Sequence, residues 1–365
     1  MKMLSKIHAT KRYGRYPRML ILGVLFIILI ICAAWSLLSG AVPTNINDLF
    51  AALFGETNSE FKNIVIREIR LPRLITGLMV GLALTLSGTL LQGLFRNPLA
   101  DPGLIGVSSG GAIGAVVAIV CLPPLVGRLA ISDTLANAIN WLGLPVLAMA
   151  SAIGLTFIIY RLSLVRGRTN VPAMLLTGLA VNSIGGAFVG LAVTIFSSDE
   201  QLRTITFWTL GSLSSANWGN TAVISTFVLI PALVAMTQGR ALNALLLGET
   251  EAFHLGINIQ KTKRTIIITS AIMVGTTVAF CGIIGFVGLV VPHMLRTLFG
   301  PDHRLLIPAG AALGAITLIT ADIFARTILA PAEIQIGILT AIIGGPFFLA
   351  LLIRARTRGS ILSSI

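Results

Sequence analysis

The side chains able to do chemistry are few and scattered. Asp322 and Arg326 stand four apart in an apolar stretch, where an acid could relay protons or pair with the arginine on one helix face. Four histidines, His8, His254, His293 and His303, are the only imidazoles available to an iron chelate, and none stands mid-way along a long apolar run. Packing or loop hydrogen bonding is their expected use, as packing is for Met79, Met273 and Met294. Cys32, Cys121 and Cys281 fall within or at the ends of apolar runs and are expected to be free thiols. There is no G-x-x-x-x-G-K-[ST] phosphate loop, no C-x-x-C, no H-E-x-x-H and no carboxylate run at metal-ligand spacing. Catalysis by this chain is not expected, and neither is a metal or cofactor bound to it.

The elements that carry these residues are set by composition. The 365 residues are 55% hydrophobic and 11% charged, with a mean hydropathy of +0.94, which is the composition of an integral membrane protein. No long polar segment could fold separately, so residues 19–365 form a single membrane domain behind a basic cytoplasmic extension, residues 1–18. The net charge of +13 would suit nucleic acid, but Lys and Arg cluster between apolar runs, where membrane topology explains them. Lipid is the expected surround and no nucleic-acid partner is expected.

The hydropathy pattern predicts an all-α protein of about ten transmembrane helices, at 19–38, 74–95, 103–122, 141–160, 171–196, 221–236, 265–283, 285–295, 306–328 and 334–353. Pro292 closes the short eighth span in this reading, and 123–140 is an outer loop. Both termini fall inside, a layout that puts 19 of the 26 Lys and Arg on the inner side. The inner connection 240–264 contains LGETEAFHLGINI, which reads as a short amphipathic helix.

One stretch is more than a turn. At 96–114, RNPLADPGLIGVSSGGAIG, Pro98 and Pro102 break the helical run and a small-residue face of Gly103, Gly106, Ser108, Gly110, Gly111 and Gly114 follows. Broken backbone at membrane depth must be satisfied by protein or by a watery path, and the small residues allow close helix packing around such a path.

The segments REIRLPR (67–73), SGTLLQGLFRNPLADPGLIGVSSG (87–110), GETEAFHLGIN (248–258), GFVGLVVPHMLR (285–296) and LTAIIGGPFF (339–348) closely resemble the permeases of type II ABC importers, which move ferric siderophores, haem and vitamin B12. The likeness runs in order from about residue 66 to 353. The stretches 95–110 and 199–218 are most similar to haem permeases.

The resemblance implies a multi-pass permease of the bacterial inner membrane. It would be a homodimer with two cytoplasmic ATPase subunits that carry ATP and Mg, and a periplasmic binding protein above. Haem is the expected transported substrate, with ferric siderophore or vitamin B12 as alternatives. A proton-coupled secondary transporter would instead need titratable midplane residues and often inverted repeats. By the resemblance, Gly248, Glu249, Glu251, Ala252, Phe253, His254, Leu255 and Gly256 form the helix that couples to the ATPase. Glu249 and Glu251 would give it an acidic face, with Phe253 and Leu255 as apolar anchors. Asn97, Leu99, Asn170 and Val171 match the cytoplasmic gate, although Pro172 departs from the B12 permeases, which have a polar residue there. Arg70, Arg73 and Arg326 match arginines that meet acidic residues of the binding protein.

Overall fold

The computed structural model describes residues 17–54, 60–128, 132–196 and 198–357. The basic extension up to residue 16 and the tail from 358 lie outside the described residues. The chain is a bundle of α-helices: α1 Arg18–Leu38, α2 Ile46–Phe54, α3 Glu60–Phe95, α4 Val107–Arg128, α5 Asp133–Leu162, α6 Val171–Phe196, α7 Asp199–Thr209, α8 Trp218–Met236, α9 Gly239–Leu247, α10 Glu249–His254, α11 Ile259–Cys281, α12 Val287–Phe299, α13 His303–Thr327 and α14 Ile336–Thr357. Between α5 and α6 lies a small antiparallel hairpin, β1 Leu164–Val165 and β2 Arg168–Thr169. Its two connecting residues, Arg166 and Gly167, both have positive φ, as a tight two-residue hairpin turn requires.

Among the described residues, eight helices are long and apolar enough to cross a membrane, and two shorter apolar helices, α12 and α14, stand where the eighth and tenth spans are expected. The core helices are α3, α11 and α13, with 78%, 72% and 67% of their apolar windows buried, against 6% for α6. Close approach of α3 to its neighbours depends on glycine. A Cβ on Gly81 would lie 2.3 Å from the Gly314 carbonyl oxygen of α13, and one on Gly88 only 1.7 Å from the Gly288 carbonyl oxygen of α12. The small-residue face of α4 packs in the same way on α5, where a Cβ on Gly114 would meet the Leu147 carbonyl oxygen at 2.3 Å.

Two expected boundaries are corrected. Pro123 and Pro124 lie inside α4 rather than in an outer loop, and most of 123–140 is helical. Pro123 cannot donate to the Ile119 carbonyl four residues back, and Gln201 Nε2 of α7 donates to that oxygen at 3.1 Å instead. Pro292 likewise does not close its helix, since α12 continues to Phe299. The carbonyl Pro292 leaves unbonded is that of Gly288, which faces Gly88. The cysteines are free, as expected, but Cys121 is exposed rather than in the core.

The two ends of the bundle differ. One carries the hairpin, the C-terminus of α3 and the start of α13. There Arg18 pairs with Asp302, and Asn243 Nδ2 also donates to Asp302, at 2.6 Å. The other carries Arg70, Arg73 and Arg326.

Because α3 and α12 touch through bare backbone, Gly88→Ala should force them apart at an overpacking cost of about 1–3 kcal/mol or more. Gly190→Ala has open space around its Cβ and should be neutral. Thermal unfolding of the two purified variants in detergent checks the contrast.

Candidate functional site

At the hairpin end, α3 stops because Arg96 turns left-handed (φ 49°) and the Asn97 N–H reaches back to the Gln92 carbonyl at 3.2 Å. Asn97 Oδ1 then accepts from Leu99 N at 2.9 Å, and Asp101 Oδ1 accepts from Gly103 N at 2.7 Å, which starts a short 3₁₀ turn, Pro102–Ile105. Burial raises the Asp101 carboxyl above its ordinary pKa, opposed by that Gly103 hydrogen bond. The break is lined by α6. Asn182 Nδ2 donates to the Gly103 carbonyl at 3.0 Å, and Gly178 lies so close that a Cβ would be 2.0 Å from the Leu104 carbonyl oxygen.

Of the expected gate residues, Leu99 is exposed at 39% and Asn170 begins α6. Asn170 Oδ1 accepts from Ala173 N at 2.9 Å, a helix N-cap, with Val171 as the first helical residue. Among the described residues no hydrogen bond joins the Asn97–Leu99 turn to the Asn170–Val171 pair. Their link is α6, capped by one and packed on the segment that follows the other.

The short helix expected within 248–256 forms as α10. Gly248 takes a conformation open to glycine (φ 131°) and lets α10 turn away from α9. Ala252 is fully buried, whereas Phe253 and Leu255 are 68% and 62% exposed. Glu251 and His254 are exposed too, and Gly256 (φ 79°) ends the helix. Glu249 departs from expectation, for it is not a free acidic group. Its Oε1 lies 2.8 Å from Nζ of Lys263, a residue only 3% exposed.

Lys263 Nζ also donates to the Thr169 carbonyl at 3.0 Å, while the Thr169 N–H donates to Gln260 Oε1 at 3.0 Å. The first two turns of α11 thus hold the last hairpin residue by both its backbone groups. A cleft of about 790 Å³ opens beside this clamp, lined by Arg168, Glu249, Phe253 and Asn258 among others. Sequence reasoning misses Lys263 and Gln260 because both fall in the connection 240–264, whereas the helix that carries them begins at Ile259. The available signal was spacing, since Lys263 shares a helical stripe with Thr262, Ile266, Ile267 and Ser270, all buried.

At the opposite end, Arg70, Arg73 and Arg326, which the resemblance aligns with arginines that meet the binding protein, turn inward in the single chain. They are 4%, 8% and 7% exposed. Arg70 donates to Leu37 O at 2.8 Å, to Val42 O and to Thr44 Oγ1. Arg326 donates to Ser39 O at 2.9 Å and to both Ser36 O and Ser36 Oγ. Arg73 bonds Asp322 Oδ1 at 2.9 Å and grips both oxygens of Glu333, at 2.8 and 3.0 Å. Asp322 is therefore an ion-pair partner of Arg73 and Arg326 rather than a lone titratable acid. Glu333, with its side chain 37% exposed, is the accessible member of the set. The physical reason for Arg70 and Arg326 is the end of α1 and the turn after it, whose Ser36, Leu37, Ser39 and Val42 carbonyls take their N–H groups, while Arg73 is drawn inward by Asp322 and Glu333.

Among the described residues no group of three or more His, Cys, Asp or Glu could hold a metal ion. Residues 28–354 match the FecCD transport family. The chain belongs to the FecCD transport family. Among FecCD relatives, the hemin transport system permease protein HmuU of Yersinia pestis is 43% identical over 95% of this chain and 99% of its own. A vitamin B12 import system permease protein of Vibrio vulnificus is 37% identical over 90% and 94%. A solved structure described as an inward-facing conformation of a metal-chelate type ABC transporter matches with TM-score 0.76 and 32% identity, over 92% of this chain and 99% of that one. This FecCD protein is thus a multi-pass membrane permease of an ABC importer.

The buried ion cluster gives a graded prediction. Asp322→Asn leaves Arg73 and Arg326 sharing no anion and should cost about 3–5 kcal/mol. Glu333→Gln, at a half-exposed partner, should cost about 1 kcal/mol or less. Thermal unfolding in detergent measures both, and equal losses would contradict the assignment of Asp322 as the hub.

Proposed function

We propose that this permease moves haem from periplasm to cytoplasm across the bacterial inner membrane, as a homodimer with two cytoplasmic ATPase subunits and a periplasmic binding protein. Ten membrane-crossing segments with both termini cytoplasmic fit this reading. The hairpin end then faces the cytoplasm, in keeping with Arg96, Arg161, Arg166, Arg168, Arg240, Lys261, Arg264 and Arg304 on its connections and helix ends. ATP and Mg belong to the partner, since the chain has no phosphate loop.

The observation that carries the reading is α10, a six-residue helix whose Phe253 and Leu255 project from an otherwise anchored turn. Two exposed apolar side chains rimmed by Glu251 have the make-up of an interface anchor. The binding protein is assigned to the arginine end. There the three arginines shape the rim from within, and Glu333 is the group left accessible.

Haem as cargo rests on likeness to the Yersinia hemin permease over nearly the whole of both chains. Vitamin B12 is the second reading, favoured by the Vibrio relative. Proteoliposomes holding the permease with its ATPase, supplied with the binding protein, should take up hemin in preference to cobalamin or a ferric siderophore. Uptake should require ATP and persist when a protonophore abolishes the proton gradient. Uptake driven by the gradient without ATP would instead support a secondary transporter.

The docking role of α10 has its own test. Glu251→Lys combined with Phe253→Ala should abolish co-purification of the ATPase while leaving the permease folded, because both side chains are exposed in the free chain. Pull-down from detergent and size-exclusion elution together measure the outcome.

A further inference from the structure

Lys263 is a buried cation that neither the docking surface nor the gate, taken alone, explains. It is 3% exposed and stands between two elements with different tasks. On one side its ammonium bonds Glu249, in the first turn of α10, at 2.8 Å. On the other it donates to the carbonyl of Thr169, at 3.0 Å, where β2 ends. The next residue, Asn170, has its N–H on Ser163 O at 3.2 Å and its side chain on the N-terminus of α6. A chain of short polar contacts therefore runs from the docking helix through one ammonium group to the start of α6.

Two further features make this chain fit for transmission. Thr169 is fixed from both sides, by Lys263 at its carbonyl and Gln260 at its N–H, so the hairpin end cannot move independently of α11's first turns and α10. The receiving helix, α6, has the smallest share of its apolar window buried within the single chain among the long apolar helices, 6%. It bears directly on the broken segment through Asn182 and Gly178.

We propose that Lys263 is the positioning residue that ties the ATPase-docking helix to the gate, holding the Glu249 carboxylate and the Thr169 carbonyl as one unit so that displacement of α10 moves the start of α6. The proposal rests on the reading of α10 as the docking helix. A salt bridge with a buried cation is poor evidence of stability as such, since a well-packed apolar replacement of buried ionic groups is often neutral. Their better-attested use is to fix one arrangement of parts.

The test uses the complete reconstituted importer, with Lys263→Met, Glu249→Gln and the double variant. Lys263→Met keeps the apolar stem and removes the donor. Glu249→Gln weakens the same contact from its half-exposed side and preserves the fold even if the first variant does not. The readout is hemin transported per ATP hydrolysed, a ratio that partial loss of folded protein leaves unchanged. Each single variant should lower the ratio about tenfold. The double variant should be no worse than the poorer single, because both remove one interaction. A wild-type ratio in Glu249→Gln, or losses that multiply in the double variant, would overturn the proposal. Retained ATPase co-purification in the Glu251→Lys, Phe253→Ala permease would overturn the docking reading and this inference with it. Lost co-purification there, with a wild-type ratio in the Lys263 variant, would remove the link alone.

Discussion

A peptide group inside a bilayer has no water to bond to, so wherever a helix is interrupted the chain must bring its own donors and acceptors. Among the described residues, three interruptions are met by a side chain or backbone group from elsewhere in the sequence. The turn after α1 exposes the carbonyls of Leu37, Ser39 and Val42, and Arg70 and Arg326 donate to them. The break after α3 takes Asn182 Nδ2 to the Gly103 carbonyl. After α11, Ser212 N–H donates to Cys281 O at 2.8 Å, and Gly337 N–H to Leu210 O at 3.0 Å. Guanidinium suits the first case because five N–H donors on a rigid fork can satisfy several carbonyls at once.

This requirement divides the molecule mechanically. At the arginine end, an ion cluster of Arg73, Arg326, Asp322 and Glu333 joins α3, α13 and the turn that holds Glu333, and Arg70 and Arg326 tie these to the end of α1. Movement there would strip partners from several charges together. At the hairpin end α6 is held more lightly, with Met174, Gly178 and Gly185 buried in the single chain and Asn182 reaching the break. Elements that move are drawn from such weakly held parts. The expected gate residues Asn97, Leu99, Asn170 and Val171 all lie in that region.

How much of this the sequence discloses depends on whether a residue's partner is near it in the chain. The bounds of α6 are legible because Asn170 caps it locally. The end of α4 is not, since the group that replaces Pro123's missing donor is Gln201, far along the sequence. The arginines are legible as cations out of place for the positive-inside trend, but the trend does not say whether such a cation turns outward to a partner or inward to stranded carbonyls. Only the meeting of α1, α3 and α13 decides that. Lys263 was obscured in another way, by being counted with the basic residues around it, although its stripe of buried neighbours sets it apart from Lys261 and Arg264.

Glu249 stands where the outer face of α10 meets the clamp on the hairpin. It is half exposed, 49% at the side chain, and Lys263 engages one of its oxygens. An ionised carboxylate has about four acceptor positions, so the ammonium leaves room for a donor arriving from outside. In the proposed assembly a basic side chain of the ATPase could meet the outer face of Glu249 without displacing Lys263. The acid would then be shared by the docking surface and the clamp on the hairpin. Charge reversal at this position would act on both at once, setting a second cation beside a buried ammonium, whereas Glu251 has no such inward partner among the described residues. The two glutamates of one short helix, equivalent in the sequence, are therefore physically distinct: Glu251 belongs to the surface alone, and Glu249 to the surface and to the connection beneath it.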